Sequence, residues 1–206
     1  MAQEQTAAAQ PRRGRPRSER ARRAILEAAS TMMRDRDMSE LSVDAIAERA
    51  GTSKATIYRW WPSKELLVLD ALRGEWDAAI PEGVDTGSLA GDLRGLIAPW
   101  ARELAARPYG RVIASFVARA QIDPQFADEY RAQFVGRRRE RGHNAFVRAI
   151  ARGEIPADTE VEAALDLLYG PFYHRVLHGH AAVDDDFAET IVRYVLAAVR
   201  GREEKT

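Results

Sequence analysis

Apolar residues recur at intervals of three and four positions along most of the chain, and this spacing favours a helical fold. In the first such segment Ala21, Ile25, Ala28 and Met32 share one face of a helix. No segment shows the alternation with β-branched residues that predicts a strand. Glycine and proline divide the pattern into about nine helices, so we predict an all-α fold.

Three regions follow from this pattern. Residues 1–17 consist mainly of Ala, Gln, Pro, Arg and Gly without an apolar period, which is typical of a disordered arm. Residues 18–62 hold three short helices. Residues 63–206 hold the remaining helices, and after a first one ending near Ile80 these are predicted at 89–107, 109–121, 124–152, 159–179 and 187–200.

The composition excludes several classes of protein. The chain has no cysteine, which excludes disulfides, thiolate zinc sites and cysteine nucleophiles. No apolar run approaches the roughly 18 residues that a membrane helix needs, and the N-terminus lacks the apolar core of a signal peptide. We therefore expect a soluble, cytoplasmic protein with no membrane partner.

The charge is unevenly distributed although the net charge is zero. Residues 1–66 carry 13 Arg and Lys against 9 Asp and Glu, whereas residues 67–206 carry 18 against 22. A phosphate backbone responds to the local field, so a basic N-terminal part is compatible with a nucleic-acid partner. A solvated basic tail gives the same distribution.

The segment Leu41–Leu67 contains two short capped helices joined by a tight turn. Ser42 is a good N-cap, Gly51 stops the helix that Ser42 begins, and Thr52 or Ser53 caps the next one. This is the layout of a helix-turn-helix, in which the second helix enters the major groove of DNA.

The second of these helices presents groups that bind phosphates or base edges. Of the three lysines in a chain with 28 arginines, two lie in or just after this helix. A lysine in the first turn of the following helix also lies where free backbone N–H groups favour an anion. The outward-facing candidates are Ser53, Lys54, Thr56, Tyr58 and Trp60, followed by Lys64.

Residues 22–69, about a quarter of the chain, resemble the DNA-binding domain of the TetR family, most closely in GTSKATIYRWWPSKELL. The resemblance implies an all-helical dimer with a divergent ligand-binding domain. It also implies roles for individual residues: Ser42 would bind a phosphate, Lys54, Ala55 and Thr56 would face base edges, Tyr58, Trp60 and Lys64 would hold the DNA backbone, and Trp61 would be buried.

Asp44 departs from this pattern, because some members of the family have a base-reading basic residue there. An acid at this position either accepts from a cytosine amine or caps its own helix, and we favour the cap.

The arm before the first helix contains RGRP, which is similar to an AT-hook. Proline and glycine keep such a segment extended, and arginine suits a narrow, A·T-rich minor groove. We predict that Arg13, Arg15 and Arg17 enter the minor groove. The alternative is a tail that makes only nonspecific phosphate contacts.

The last two helices have apolar faces. The resemblance implies that these helices form a four-helix dimer interface, and a palindromic operator needs two heads about 34–36 Å apart. The alternative is that these faces only close the core of one protomer. The predicted interface residues are Leu165, Leu168, Val176, Ile191, Tyr194, Val195 and Ala198.

Aromatic residues on the central helices are candidates for a ligand pocket. Aromatic residues at helical spacing also form ordinary core, and this alternative stays open. Because no charged residue stands out as a partner for a charged ligand, we favour an apolar or aromatic effector. The candidates are Trp100, Phe116, Tyr130, Phe134, Phe172 and Tyr173.

Two polar groups remain ambiguous. His174 and His178, with His180 nearby, have a spacing that chelates metals, but surface or interface histidines are the interpretation we favour. The basic run of Arg137, Arg138, Arg139 and Arg141 indicates a solvated or interdomain face, with an anionic effector as the alternative.

These features together predict a DNA-binding transcriptional regulator. The specific hypothesis is a homodimeric repressor that a small molecule of unknown identity releases from a palindromic operator, without a metal or other cofactor. The alternatives are a regulator that needs no ligand, an activator and, remotely, a metal-dependent enzyme using His174 and His178. An enzyme is disfavoured because the sequence shows no nucleophile–base pair or glycine-rich phosphate loop.

Overall fold

The computed structural model of the chain describes residues 15–79, 84–106 and 109–200, with side chains from Ser18 onward except that of Ala106. All regular elements in these ranges are helices. They are α1 (Arg15–Met33), α2 (Val43–Arg49), α3 (Lys54–Trp60), α4 (Lys64–Ala79), α5 (Leu89–Ala106), α6 (Tyr109–Ile122), α7 (Pro124–Tyr130), a π-helical turn (Arg131–Gly136), α8 (Arg137–Ala151), α9 (Val161–His178) and α10 (Asp185–Val199).

The segment from α7 to α8 is one long helix, because α7, the π-helical turn and α8 follow one another without a break. The described ranges therefore contain nine helices and no strand. This confirms the all-α prediction. The predicted boundaries of α5 to α10 agree with the structure to within two residues.

Helices α2 and α3 begin at the caps that the sequence indicates. The Ser42 hydroxyl accepts a hydrogen bond from the Ala45 amide at 3.1 Å, and the Ser53 hydroxyl accepts one from the Thr56 amide at 3.2 Å. Gly51 between them has a φ of 61°, a left-handed conformation that glycine adopts without steric cost. These two caps and one glycine fix the turn between the helices.

Helix α4 packs against the N-terminal helices as well as against the rest of the chain. Its Asp70 carboxylate makes the main hydrogen-bonded connection to the N-terminal helices. This carboxylate is buried and accepts hydrogen bonds from Arg22 of α1 at 2.6 Å and from the Trp61 indole at 3.1 Å. Arg73, one turn later in α4, donates to it as well. The first half of α1, the residue directly after α3 and the middle of α4 therefore meet at one acceptor.

Glu75, further along α4, is a second carboxylate that hydrogen-bonds to other helices. It accepts from both Nε and Nη2 of Arg34, at 3.0 and 2.9 Å. The hydroxyls of Ser30 in α1 and Tyr109 in α6 also donate to this carboxylate. Glu75 thus links α1 to α6 through α4.

The core of the C-terminal part is built around α5, which packs against α6, α8 and α10. Its Trp100 is fully buried, as are Phe116 of α6 and Phe172 of α9. Burial of large aromatic side chains contributes most of the hydrophobic stabilisation of such a core.

Asp92, in the first turn of α5, anchors the connection that precedes this helix. The carboxylate is fully buried and accepts from the Thr86 amide at 2.6 Å and from Arg148 of α8 at 2.9 Å. Burial raises the pKa of the Asp92 carboxyl, but the hydrogen bonds from Thr86 and Arg148 outweigh it, and the net pKa lies below the ordinary value.

No helix within the described ranges has the length and the apolar content needed to cross a membrane.

The Asp92→Asn variant tests the contribution of this buried carboxylate. We expect it to lower the free energy of unfolding by about 2 kcal/mol at neutral pH, because Arg148 loses its counter-charge. Since the folded-state pKa is depressed, the carboxylate stabilises fully above the unfolded-state pKa of about 4, and this contribution is lost as the pH falls below it. Urea unfolding at pH 7 and at about pH 3 measures the difference.

Asp85→Asn is the matched control, because Asp85 is more than half exposed and pairs with Arg148 at 3.7 Å and Arg152 at 3.6 Å. We expect it to change stability little. An equal loss in both variants would contradict the assignment to Asp92.

Candidate functional site

Helices α2 and α3 form a helix-turn-helix whose inner faces are apolar. Ile46 and Ala47 of α2 and Ile57 of α3 are buried and belong to one core with α1. Because α3 has only this narrow inward face, most of its other side chains remain available to a partner. A short helix exposed in this way matches the recognition helix of a helix-turn-helix.

The exposed side of α3 carries most of the residues that the sequence singled out. Ser53, Lys54, Ala55 and Tyr58 are exposed, and half of the Tyr58 side chain is accessible. Thr56 is half-buried, and its hydroxyl is 3.0 Å from that of Ser53. Hydroxyl, ammonium and phenol groups therefore share the start and the outer side of this helix.

Lys54 is paired with Asp44 across the two helices. Its Nζ lies 2.6 Å from the Asp44 Oδ1, and both side chains are more than half exposed. The hypothesis that Asp44 caps its helix is wrong, since the side-chain cap is Ser42. Asp44 instead holds the lysine ammonium on the exposed surface of α3.

Lys64 differs from the expectation that it holds the DNA backbone. Its Nζ donates to the Met38 carbonyl at 2.8 Å and to the Leu41 carbonyl at 3.0 Å. The ammonium therefore faces the connection between α1 and α2. In this structure Lys64 fixes the entry to α2 against the start of α4.

Trp60 also lies elsewhere than expected. The side chain is half-buried, and its indole Nε1 is inaccessible to solvent. Its ring lies 6.3 Å from that of Trp61 and 5.8 Å from the Arg22 guanidinium. Trp60 therefore packs beside the hydrogen bonds to Asp70, whereas Trp61 is buried as the resemblance implied.

Arg59 is an exposed cation of α3 that the sequence analysis did not single out. It follows Ala55 by four residues, so both lie on the same side of the helix. This spacing could have predicted that Arg59 faces DNA, because Ala55 was already assigned to the DNA-facing side.

The arm is only partly within the described residues. Arg13 lies outside them, and the side chains of Arg15 and Arg17 are not described. The backbone corrects the predicted boundary, because α1 begins at Arg15 and includes Arg17, whereas we expected an extended arm through residue 17. Insertion into the minor groove stays a prediction.

All six predicted pocket residues belong to one aromatic cluster. Ring centroids are 6.1 Å apart for Phe116 and Tyr130 and 5.5 Å apart for Tyr130 and Phe134. Trp100 lies 4.9 Å from Phe172 and 6.1 Å from Tyr173. These distances are typical of favourable aromatic pairs.

Trp76 of α4 joins the two halves of this cluster, and the sequence analysis missed it. Its ring lies 4.7 Å from Phe134 and 6.4 Å from Trp100. The cluster therefore touches the same helix that carries Asp70. Through α4, the aromatic residues of the C-terminal part are connected to the end of α3.

Three helices beside the cluster contain an interior proline or a π-helical turn at or next to residues that contact it. Pro99 lies inside α5 beside Trp100, and Pro171 lies inside α9 beside Phe172. Phe134 lies in the π-helical turn. Interior prolines remove a backbone hydrogen bond, and π-helical turns are frequent at functional sites.

Arg138 lies against the same cluster, and the sequence analysis had placed it on a solvated face. Its guanidinium carbon is 4.5 Å from the ring centroids of both Trp100 and Tyr169. It follows Phe134 by four residues and so continues the aromatic face of the long helix. A charged residue therefore lies against the predicted pocket residues, although none stood out in the sequence as a partner for a charged ligand.

The three histidines lie close together on the surface. Ring centroids are 4.6 Å apart for His174 and His178 and 5.0 Å apart for His174 and His180, and all three are exposed. Among the described residues no three His, Asp or Glu side chains form a group that could hold a metal ion.

Most of the predicted dimer residues are buried within one protomer, which corrects the prediction that they form the interface. Leu165, Leu168, Ile191 and Val195 belong to the core and are inaccessible to a second copy. Val176 is half-buried beside Gly110, whereas Tyr194 and Ala198 remain exposed. The exposed residues of α9 and α10 include polar ones such as His174 and Arg193. The apolar ones, which we call the outer face of α9 and α10, are Ala163, Leu167, Gly170, Leu177, Tyr194, Ala197 and Ala198.

An exposed, polar second helix in a capped helix-turn-helix, carried by a helical body, defines a helix-turn-helix DNA-binding protein. The family profile described as bacterial regulatory proteins of the tetR family matches residues 25–71. A second profile, described as the tetracyclin repressor-like C-terminal domain, matches residues 84–195. The chain belongs to the TetR family of bacterial transcriptional regulators.

Known proteins resemble most of the chain. The uncharacterized HTH-type transcriptional regulator YdeS of Bacillus subtilis is 35% identical over 191 residues, which cover 93% of this chain and 96% of YdeS. The crystal structure of the TetR family regulator SCO0332 superposes with a TM-score of 0.74 at 29% identity and covers 85% of this chain and 96% of SCO0332. That of FadR from Bacillus subtilis has a TM-score of 0.63 at 16% identity and covers 86% and 98%.

The pair of Lys54 and Asp44 makes a testable prediction for DNA affinity. In Lys54→Ala we expect weaker binding and a salt dependence reduced by about one counterion. In Asp44→Asn we expect tighter binding, because the lysine is released to the phosphates and a repelling charge is removed. Fluorescence anisotropy of labelled DNA at several salt concentrations measures both.

Asp158→Asn is the control for the change in net charge, because Asp158 is exposed on the connection before α9. We expect its affinity to equal that of the unchanged protein. Equal gains in Asp44→Asn and Asp158→Asn would show a nonspecific charge effect and would contradict the role of Asp44.

Proposed function

We propose that this regulator is a homodimeric repressor that acts in the cytoplasm, binds a palindromic operator and is released by a small molecule bound in the aromatic cluster. It performs this role by binding and not by catalysis. The observation that carries the proposal is the position of Trp76, which contacts the cluster from the helix that also holds Asp70.

The FadR structure supports a small-molecule effector, because it is a complex with stearoyl-CoA. In a helical fold of this kind, ligands bind in apolar cavities between helices. Here Pro99, the π-helical turn with Phe134, and Pro171 lie beside a cluster of rings between the helices. We propose that the effector enters between these rings.

A ligand releases DNA only if it binds the released state more tightly than the DNA-bound state. Insertion between Trp76 and Phe134 moves α4, because these rings are in contact at 4.7 Å. Asp70 moves with α4 and shifts its donors, Arg22 and the Trp61 indole. The two recognition helices of a dimer then no longer match successive major grooves.

The proposed dimer interface is the outer face of α9 and α10. Leu167 is 54% exposed and Tyr194 is 61% exposed, so both helices present a large side chain with apolar surface to a partner. Gly170 and Ala198 keep this face flat enough for close packing of a second pair of helices. The occupant we propose is a second copy of this chain, related by a two-fold axis.

Selection of bound DNA from a random pool tests the operator proposal. We expect recovered sites with two inverted half-sites about one helical turn apart. Recovery of single, unsymmetrical sites would contradict the palindrome. Transcription from a promoter carrying the recovered site should fall when the protein is added, and a rise would identify an activator.

Titration of a small-molecule library against the protein–operator complex tests the effector. We expect compounds that dissociate the complex, and we expect their effect to be lost in Trp76→Ala. If every compound fails to dissociate the complex, the alternative of a regulator without a ligand is favoured.

Leu167→Glu tests the dimer face. We expect a monomer by analytical ultracentrifugation and a loss of operator affinity of about 100-fold, because the two half-sites are no longer bound together. Ile122→Glu is the matched control, since Ile122 is 76% exposed at the end of α6, away from this face. A dimer in Leu167→Glu, or a monomer in both variants, would contradict the assignment.

A further inference from the structure

The guanidinium of Arg138 is enclosed by aromatic rings. In addition to Trp100 and Tyr169, its carbon lies 5.1 Å from the ring centroid of Tyr173 and 5.7 Å from that of Phe134. Ring faces attract a cation, but they do not accept the hydrogen bonds that guanidinium N–H groups donate. The enclosure therefore holds the charge without satisfying its donors.

Arg138 lacks the carboxylate partners that its neighbours have. Arg139 pairs with Glu162 and Asp166, each at 2.5 Å, and Arg141 pairs with Asp77 at 3.0 Å. Within the described part of the chain, no carboxylate is in salt-bridge contact with Arg138. Its Nη2 donates to the Tyr173 hydroxyl at 2.8 Å, while Nε and Nη1 are buried without a hydrogen-bond partner.

The nearby phenols do not supply the missing negative charge. Burial raises the pKa of Tyr130 and Tyr169 above the ordinary value, so both hydroxyls are neutral at physiological pH. An arginine keeps its charge throughout this range. A buried cation with two unsatisfied nitrogens is unfavourable by itself and is typical of a site that awaits an anion.

A cleft next to Arg138 has room for the head of such an anion. It has a volume of about 30 Å³ and is lined by four arginines, among them Arg73, Arg138 and Arg141, by one carboxylate, Asp77, and by rings that include Trp76 and Phe134. This volume is enough for a water molecule or a small planar group, but not for a whole effector. The Nε of Arg73 is also buried without a partner.

We propose that the effector is an organic carboxylate with an aromatic or aliphatic body, whose carboxylate binds Arg138; this rests on the proposed function. The planar carboxylate matches the guanidinium N–H groups and fits the cleft. The apolar body then displaces the contact between Trp76 and Phe134. A positive cleft edged by indole and phenyl rings selects such amphipathic acids over neutral compounds of the same shape.

Paired probes test the charge requirement. We use 2-naphthoate and decanoate, each against its primary amide, in calorimetric titrations of the full-length dimer. We expect each acid to bind at least about tenfold more tightly than its amide, because only the acid supplies the counter-charge. Equal binding of acid and amide, or tighter binding of the amide, would overturn the proposal.

Arg138→Met removes the charge at similar size and has a second readout. Without ligand, we expect its thermal unfolding temperature to rise, because an uncompensated buried cation is removed. With ligand, we expect the preference for acids to disappear. A fall in the unfolding temperature would identify a structural arginine and would overturn the proposal, even if none of the four probes binds.

Arg139→Met is the matched control on the same helix, because Arg139 is paired with two carboxylates and does not line the cleft. We expect it to keep the preference for acids and not to gain stability. A gain in stability or a loss of preference equal to that of Arg138→Met would assign the effect to helix charge and overturn the site.

Dissociation of operator DNA separates this proposal from the proposed function. Acids that bind through Arg138 but leave the operator complex intact would support the anion site and contradict release by an effector. Amides that dissociate the complex as well as the acids would support release and contradict the anion site.

Discussion

The buried carboxylate of Asp70 determines how the DNA-binding helices are held on the rest of the molecule. It accepts from Arg22 in the first half of α1 and from the indole of Trp61, directly after the recognition helix. A hydrogen-bonded charge in a buried site permits little movement, because each lost bond leaves an unsatisfied group. The C-terminal cluster is held instead by ring contacts, which have no strict directionality. The hydrogen-bonded contact around Asp70 is therefore more rigid than the ring cluster next to it.

Much of the fold could be predicted because its signals are local. The helix boundaries follow from apolar spacing, from Ser42 and Ser53 as caps, and from Gly51 at a positive φ. The exposed side of α3 was also predictable, since Lys54 and Tyr58 are four residues apart on one face. Within the helix-turn-helix, the errors concern residues whose partners are distant in sequence. Lys64, for example, binds carbonyls more than twenty residues earlier.

Which side chains are buried depends on tertiary packing wherever the local sequence pattern allows more than one orientation. Leu167 and Leu168 are adjacent and equally apolar, but only the second is buried, because the helix can turn one of them toward the core and not both. The role of Arg138 was hidden in a run of arginines that had the composition of a solvated surface. Its spacing from Phe134 contained the signal. The contact with Trp76, however, depends on how α4 crosses the long helix, which the sequence pattern does not specify.

All four tryptophans of the chain lie beside the hydrogen bonds to Asp70 or in the ring cluster. Trp60 and Trp61 flank the Arg22 guanidinium, while Trp76 and Trp100 contact each other. The tryptophan emission of this protein, excited selectively beyond the absorption of tyrosine, therefore originates from these two regions. The indole N–H groups of Trp60, Trp76 and Trp100 are buried without an acceptor, so a shift in emission colour would register the entry of water or of a polar group at either place.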